Sequence, residues 1–332
     1  MRLVTYALDD SNAIKMKIGA FVDNDATIVS LTDTDPAEAA FSSMLGLIES
    51  GEASLAKARQ IVADSRMSSR PVKIESRSVK LMAPVPKPES IRDWACFPEH
   101  YINAKTTTHR RLATKQPDPE AALEQFRREG KLSLPADYYE LPRFHACNRH
   151  NVVGHEAEVV WPPFSEEMDF ELEFGFFIGK KGRDIREAEA RDYIFGFTIF
   201  NDFTARDFQR REARIGGKCK EFDGGNVLGP CLVTRDDVPD PYNLRLIARV
   251  NGEVVTDSNS NTIGRSFEQL IAHMSESTTL YPGEFFGSGT VGGGCGLEFD
   301  RYLRDGDVVE LEVESIGVLR NRIVRRSAER AS

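Results

Sequence analysis

The sequence is short of the features that would place it in a special class. Its 332 residues include only five cysteines, Cys96, Cys147, Cys219, Cys231 and Cys295, none in a C-x-x-C pair. An odd, scattered set argues against a disulfide framework or a zinc knuckle and for reduced, mostly buried thiols. No stretch approaches the roughly eighteen apolar residues needed to span a bilayer. The Met1–Asp10 segment has no apolar signal core, so a cytoplasmic protein without a membrane partner is expected. A basic stripe is missing too: the net charge is -9 and the isoelectric point near 5.4, a field that repels phosphate backbones and excludes nucleic acid as a partner. Internal repeats, low-complexity tracts, a phosphate-binding G-x-x-x-x-G-K-[ST] loop and a G-x-S-x-G elbow are absent.

What is present is an ordinary globular balance, 40% hydrophobic and 29% charged residues, in a chain long enough to bury a large core. Residues 1–82 read as a small α+β domain. Two β-rich runs, Leu3 to Leu8 and Lys17 to Leu31 broken at Asp23-Asn24-Asp25, precede helical stretches at Phe41 to Ser50 and Glu52 to Ser65. The proline-rich run Ala83-Pro84-Val85-Pro86-Lys87-Pro88 can continue neither a helix nor a central strand, so a second, larger domain is expected over 83–332. Within it, Asp118 as N-cap, Pro119 at the first helical position and Gly130 past the end punctuate a helix. That helix sits inside a polar excursion, 106–136, which reads as a lid or an insertion. From Asn151 onward the pattern is mainly β, with strands expected at Glu156 to Trp161, Met168 to Gly179, Tyr193 to Phe200, Leu228 to Thr234, Leu244 to Val250 and Val308 to Val313. Ser266 to Gln269 forms a capping box that opens a helix through Met274. The fold class is therefore α+β and β-rich.

The chemistry gathers on acids. In Met168-Asp169-Phe170-Glu171-Leu172-Glu173-Phe174 the apolar residues alternate with acids, the period of a strand, so Glu171 and Glu173 share one face roughly 6.5–7 Å apart. Such a face is either solvated or converges on a cation. Tyr193 to Phe200 is apolar almost throughout and runs into Asn201-Asp202, where Asp202 either caps the helix that follows or joins the acidic face. Asp93 lies seven residues before His100. Four carboxylates without a cysteine or a histidine pair make a hard, all-oxygen set suited to a divalent cation, Mg²⁺ first, with Mn²⁺ or Ca²⁺ as alternatives to it. His100 follows Pro98-Glu99 and taken alone reads as a turn histidine. Arg206 is either a substrate group or a buried partner of Asp207 or Glu171. The run His109-Arg110-Arg111 reads as a solvated basic face.

These residues carry a pattern that resembles the fumarylacetoacetate hydrolase family. Met168 to Gly179 (MDFELEFGFFIG) is similar to its metal-binding strand, Asn201 to Gln209 (NDFTARDFQ) to its N-D-[WF]-[ST]-A-R-D-x-Q segment, and Gly287 to Thr290 (GSGT) to its substrate-contacting loop. Lys220 to Asp223 with Leu228-Gly229-Pro230 resembles its K-x-F-D…L-G-P block, and the likeness runs from about residue 80 to about 325. The resemblance implies a mixed β-roll catalytic domain, a homodimer, and Asp93, Glu171, Glu173 and Asp202 as metal ligands. It makes His100 the catalytic base, with Lys220, Arg206, Gln209 and Thr290 facing the substrate. Glu298 falls where larger members place the acid that orients the histidine; smaller members carry that acid three residues after the histidine, where this chain has Asn103. Where fumarylacetoacetate hydrolases themselves carry tyrosines, this chain has Ala213 and Phe144-His145, which puts His145 at the substrate and leaves substrate identity open.

The implied activity is hydrolysis of a carbon–carbon bond in a small keto acid, an acylpyruvate or 1,3-diketone such as fumarylacetoacetate or a related aromatic-degradation intermediate. A cation polarises the carbonyls, His100 deprotonates water, Glu298 fixes its tautomer and Lys220 offers a cationic donor. Two other classes stay open: decarboxylation, isomerisation or hydration on the same scaffold, and a non-enzymatic member of the fold. Gly287 to Gly292 matches G-x-G-x-x-G by letter, but Gly293-Gly294-Cys295-Gly296 follows and no helix can open there, so no dinucleotide site is expected.

Overall fold

The computed structural model describes residues 1–8, 15–212 and 217–326. A twelve-stranded mixed sheet runs through the molecule. Its path is Lys73–Glu75, Thr27–Ser30, Met16–Val22, Arg2–Ala7, Asn226–Thr234, Ile194–Asp202, Leu172–Ile178, Phe285–Gly287, Ile91–Trp94 and Phe144–Cys147. A five-stranded sheet, Glu253–Asn259, Arg245–Val250, Val308–Val313, Gly317–Val324 and Glu158–Val160, packs beside it. Met168–Asp169 pairs separately with Thr204–Ala205. The molecule is thus α+β with large sheets, as its patterning implies.

The centre of the large sheet is apolar on both faces. All nine residues of Ile194–Asp202 and all seven of Leu172–Ile178 are buried, which explains why the first reads as a continuous apolar run. Phe174 and Phe176 point into one core with Phe267 and Phe286, at centroid separations of 4.9–5.4 Å, while Phe177 enters a second core with Phe200 and Phe285. Each such ring contributes on the order of 1.5–3 kcal/mol by leaving water.

The N-terminal elements follow local signals. Asp23, Asn24 and Asp25 all take positive φ, 53°, 54° and 66°, the turn that closes Met16–Val22 onto Thr27–Ser30. The two expected helical stretches form as two helices within Met44–Asp64, separated at Gly51, whose φ of 71° and ψ of -157° are not helical and which glycine adopts without a Cβ penalty. Arg2–Ala7 pairs with Asn226–Thr234 through Arg2 opposite Val233 and Leu3 opposite Leu232, so these strands extend the same sheet that carries the acids.

Two features depart from the expected pattern. Pro98–Ala113 is a helix, which places His100 in a first helical turn and not in a loop turn. The helix Pro119–Arg128 follows, with the Asp118 side chain accepting from Ala121 N. Asp202 caps nothing: the helix Arg206–Arg211 starts after Ala205 and has no side-chain cap. Among the described residues, no helix is long and apolar enough to cross a membrane.

Candidate metal centre and catalytic pair

Three strands of the large sheet, two of them separated by Phe285–Gly287, bring the acids together. Asp93 ends the pairing of Ile91–Trp94 with Phe285–Gly287 and lies opposite Gly287, Glu173 lies opposite Phe200, and Asp202 closes Ile194–Asp202. The backbone leaves regular pairing just before them: Glu171 N donates to the Asn201 side-chain oxygen at 3.0 Å, and Glu171 bridges to Cys295. Glycine makes the room, because a Cβ on Gly287 would stand 2.8 Å from Asp93 Oδ1. As a result Asp93, Glu171, Glu173 and Asp202 each place a carboxylate oxygen within 4.8 Å of the others.

Burial makes this crowding expensive. Glu173 and Asp202 are 0% exposed and Glu171 4%. Burial, reinforced by Asp93, Glu171 and Asp202, pushes the Glu173 carboxyl well above the usual range, and burial raises Asp93 as well. Burial also raises Asp202 to about 7, against the pull of Lys220. Glu171 moves the other way: burial opposes its ionisation, but Lys220 and Arg206 outweigh burial and hold it below the usual range. Glu173 Oε2 and Asp202 Oδ1 are buried without a hydrogen-bond partner, a state that native interiors rarely leave uncompensated. Two orphaned oxygens inside an all-oxygen set of four carboxylates fit a hard divalent cation.

Cationic side chains occupy the remaining lone pairs. Lys220 Nζ donates to both Glu171 and Asp202. Arg206 is 1% exposed and donates through Nε to Asp169 at 2.7 Å and through its terminal nitrogens to Glu171 at 2.8 Å and Gln209 at 3.0 Å. Of the two roles weighed for Arg206 the structure displays the buried partnership, with Glu171 and Asp169; Asp207 is engaged elsewhere, accepting from Ser165 Oγ and Glu166 N. Thr290 Oγ1 donates to Glu173 at 3.1 Å. His145 lies opposite Asp93 in the strand register, and its Nε2 is buried without a partner. Burial, with Lys220 nearby, holds its pKa below the ordinary histidine value.

The histidine and its acid come from opposite ends of the domain. His100 Nδ1 donates to Glu298 Oε1 at 2.7 Å, and Glu298 Oε2 accepts from Asn103 Nδ2 at 2.8 Å and Gly293 N at 2.7 Å. A carboxylate on Nδ1 fixes the proton there and leaves the Nε2 lone pair free. The Glu171–Cys295 bridge seats this pair against the acids, with Cys295 Sγ 3.6 Å from Glu298 Oε1. His109 bonds to Lys105 O within its own helix, whereas Arg111 pairs with Glu167 and Asp300, both far along the chain. Ala213 lies outside the described residues. Two residues of the site escaped the sequence reading: Asn103, and Asp169, whose signal was its place in the same alternation as Glu171 and Glu173.

Comparison with known proteins gives concordant results. The model for the fumarylacetoacetate (FAA) hydrolase C-terminal family matches residues 91–324. The human protein named oxaloacetate tautomerase FAHD2A, mitochondrial, is 33% identical over 326 residues, covering 98% of this chain and 92% of the relative. The Xenopus laevis oxaloacetate tautomerase fahd2, mitochondrial, is 32% identical over 329 residues, covering 98% and 90%. Among solved structures, a fumarylacetoacetate hydrolase from psychrophilic Exiguobacterium antarcticum superposes with a TM-score of 0.71 at 21% identity, covering 98% of this chain and 100% of that one. A 2-hydroxyhepta-2,4-diene-1,7-dioate isomerase from Mycobacterium marinum gives 0.66 at 22%, covering 98% and 99%. At these identities the solved structures speak for the fold.

Proposed function

Since this chain belongs to the fumarylacetoacetate hydrolase family, we propose that it is a divalent-cation-dependent enzyme that moves the proton beside the keto group of a small 2-keto acid. Keto–enol tautomerisation of oxaloacetate is the specific reaction proposed, with Mg²⁺ as the cation. The observation that carries the reading is the His100–Glu298 pair, joined through the Cys295 bridge to Glu171, one of four carboxylates that fit a cation. The names of relatives matched over 98% of the chain point to the substrate.

A cation held by Asp93, Glu171, Glu173 and Asp202 supplies Lewis acidity toward the keto and carboxylate oxygens of the substrate. His100 Nε2 takes the proton from the carbon beside the keto group. Glu298, already bonded to Nδ1, stabilises the imidazolium that results, a contribution of on the order of 10²–10⁴ in rate for a positioned base. Burial opposes the charge on Lys220, but Asp202 and Glu171 outweigh burial and raise its pKa, so Nζ would stay cationic and hydrogen-bond to the keto oxygen. The proton taken by His100 would pass to that oxygen through solvent, so one proton leaves carbon, one arrives at oxygen and both side chains are restored. His145, with a buried, unpartnered Nε2, would accept a hydrogen bond from a substrate hydroxyl or donate one to a carboxylate.

A second reading, hydrolysis of the carbon–carbon bond of an acylpyruvate or diketone, is supported by the same pair. A base fixed by a carboxylate takes a proton from water as readily as from carbon. One experiment separates the two. The enol absorbance of oxaloacetate, and the diketone absorbance of a panel of acylpyruvates, are followed with metal-stripped protein before and after Mg²⁺ is added. Cation-dependent loss of the oxaloacetate enol signal is expected. Cleavage of an acylpyruvate into two acids without that acceleration favours hydrolysis, and inertness toward every substrate sinks both. A cytoplasmic location is kept in the proposal, although the named relatives are mitochondrial, and fractionation of cells expressing the chain decides it.

A further inference from the structure

We infer that Asp169 is a positioning residue that locks the cation site and the His100–Glu298 pair into one fixed arrangement. This rests on the reading of the acids as a cation site and of the pair as base and orienting acid. Asp169 is 0% exposed, yet it belongs to neither group. Its Oδ1 accepts from Phe170 N at 2.9 Å and Gly296 N at 2.7 Å, and its Oδ2 accepts from Leu297 N at 2.9 Å and Arg206 Nε at 2.7 Å. Each oxygen therefore holds two donors.

Those donors lead to both halves of the site. Gly296 and Leu297 open the short helix Gly296–Phe299, which carries Glu298, and Arg206 continues from Asp169 to Glu171 at 2.8 Å. A single carboxylate thus grips the helix that aims the acid on His100 and the guanidinium that aims a cation ligand. The approach is close enough to require glycine, since a Cβ on Gly296 would stand 2.6 Å from Asp169 Oδ1. A buried ion pair of this kind is weak grounds for stability, because its desolvation cost rivals its attraction. Its geometric yield is larger, since a misplacement of about 1 Å at a reacting centre costs on the order of 10²-fold in rate.

The test is Asp169→Asn. However the amide turns, its nitrogen meets a pair of N–H donors, so one oxygen's grip is lost at constant volume. We expect Mg²⁺ affinity, measured by calorimetry without substrate, to fall about 10-fold and kcat on the order of 10²-fold with KM little changed. In an Arg206→Lys background the same substitution should cost no further cation affinity. A purely structural role would instead lower Tm and leave affinity and kcat at wild-type values well below the melting range; that result, or additive affinity losses, overturns the inference. Should Asp169→Asn fail to fold, Arg206→Lys decides alone: Glu298→Gln must cost less kcat in that background than in the parent, and an equal cost overturns the inference. A parent chain that binds no divalent cation sinks the functional reading and this inference together, whereas wild-type behaviour of the variants beside a binding parent sinks this inference only.

Discussion

Asn103 Nδ2 donates to Glu298 Oε2 at 2.8 Å across 195 positions of sequence. His100 reaches the other oxygen of the same acid from one turn earlier on the same helix, so that helix holds Glu298 at both oxygens. A hydrogen bond to a charged carboxylate contributes about 1.5–3 kcal/mol. Asn103→Ala should therefore lower kcat by about 10–100-fold. Asn103→Asp, which sets a second negative charge against Glu298, should lower it further. Steady-state kinetics at saturating cation check both, and wild-type kcat in Asn103→Asp would contradict the arrangement.

His100 and Glu298 should behave as one unit. His100→Ala is expected to lower kcat by on the order of 10²–10⁴-fold with Mg²⁺ affinity unchanged, and Glu298→Gln to cost nearly as much. The double variant should lose little more, because groups acting together are non-additive. Additive losses, or a collapse of cation affinity in either single variant, would show that the roles are misassigned.

Glu171→Gln and Asp202→Asn each remove a charged oxygen without changing volume. Both should abolish cation-dependent turnover while circular dichroism shows an intact fold. Retained cation content by elemental analysis, together with retained activity, would remove these residues from the site.

The pH dependence of cation binding follows from Asp202. In the cation-free chain its pKa is raised from 3.8 to about 7, so the protonated form is favoured in the folded state. A raised folded pKa contributes stability that is fully present below the unfolded value and is lost as pH rises through the folded one. The cation-free chain should therefore lose this contribution between about pH 4 and 7. The cation, which binds the ionised form, should raise Tm by more at pH 8 than at pH 5. Its binding should also release protons near neutrality, read by calorimetry in buffers of different ionisation enthalpy. An affinity flat across that range would contradict the prediction.

A homodimer, expected from the family resemblance, is tested by light scattering at micromolar concentration. The mass should be twice the 37.2 kDa of the chain, and a monomeric mass would remove the expectation.

The legible parts of the molecule were those written in local periodicity. Alternation in Met168 to Phe174 put Glu171 and Glu173 on one face, and the apolar run before Asn201 delivered Asp202 to the end of a buried strand. Ser266 and Asp118 announced their helices by capping chemistry that the structure reproduces. Pro98–Ala113 was illegible because it buries only Thr107 and Ala113 and so writes no apolar stripe, although Pro98 stands at its first position. Arg206 stayed ambiguous for a different reason: its partners lie 35 and 37 residues away, beyond any local rule. The same distance hid Asp169, which looks like one more member of an acidic face until the bend at Glu171 takes it out of line.

The pairing of Arg2–Ala7 with Asn226–Thr234 bears on any attempt to work with a shortened chain. Residues 1–82 look separable in sequence, yet their removal would strip Leu232 and Val233 of their partners on one side of the strand. An open, apolar edge of that kind recruits strands from other molecules. Trimming the N-terminal segment would therefore invite chains to stack on one another, even with every residue around the acids untouched.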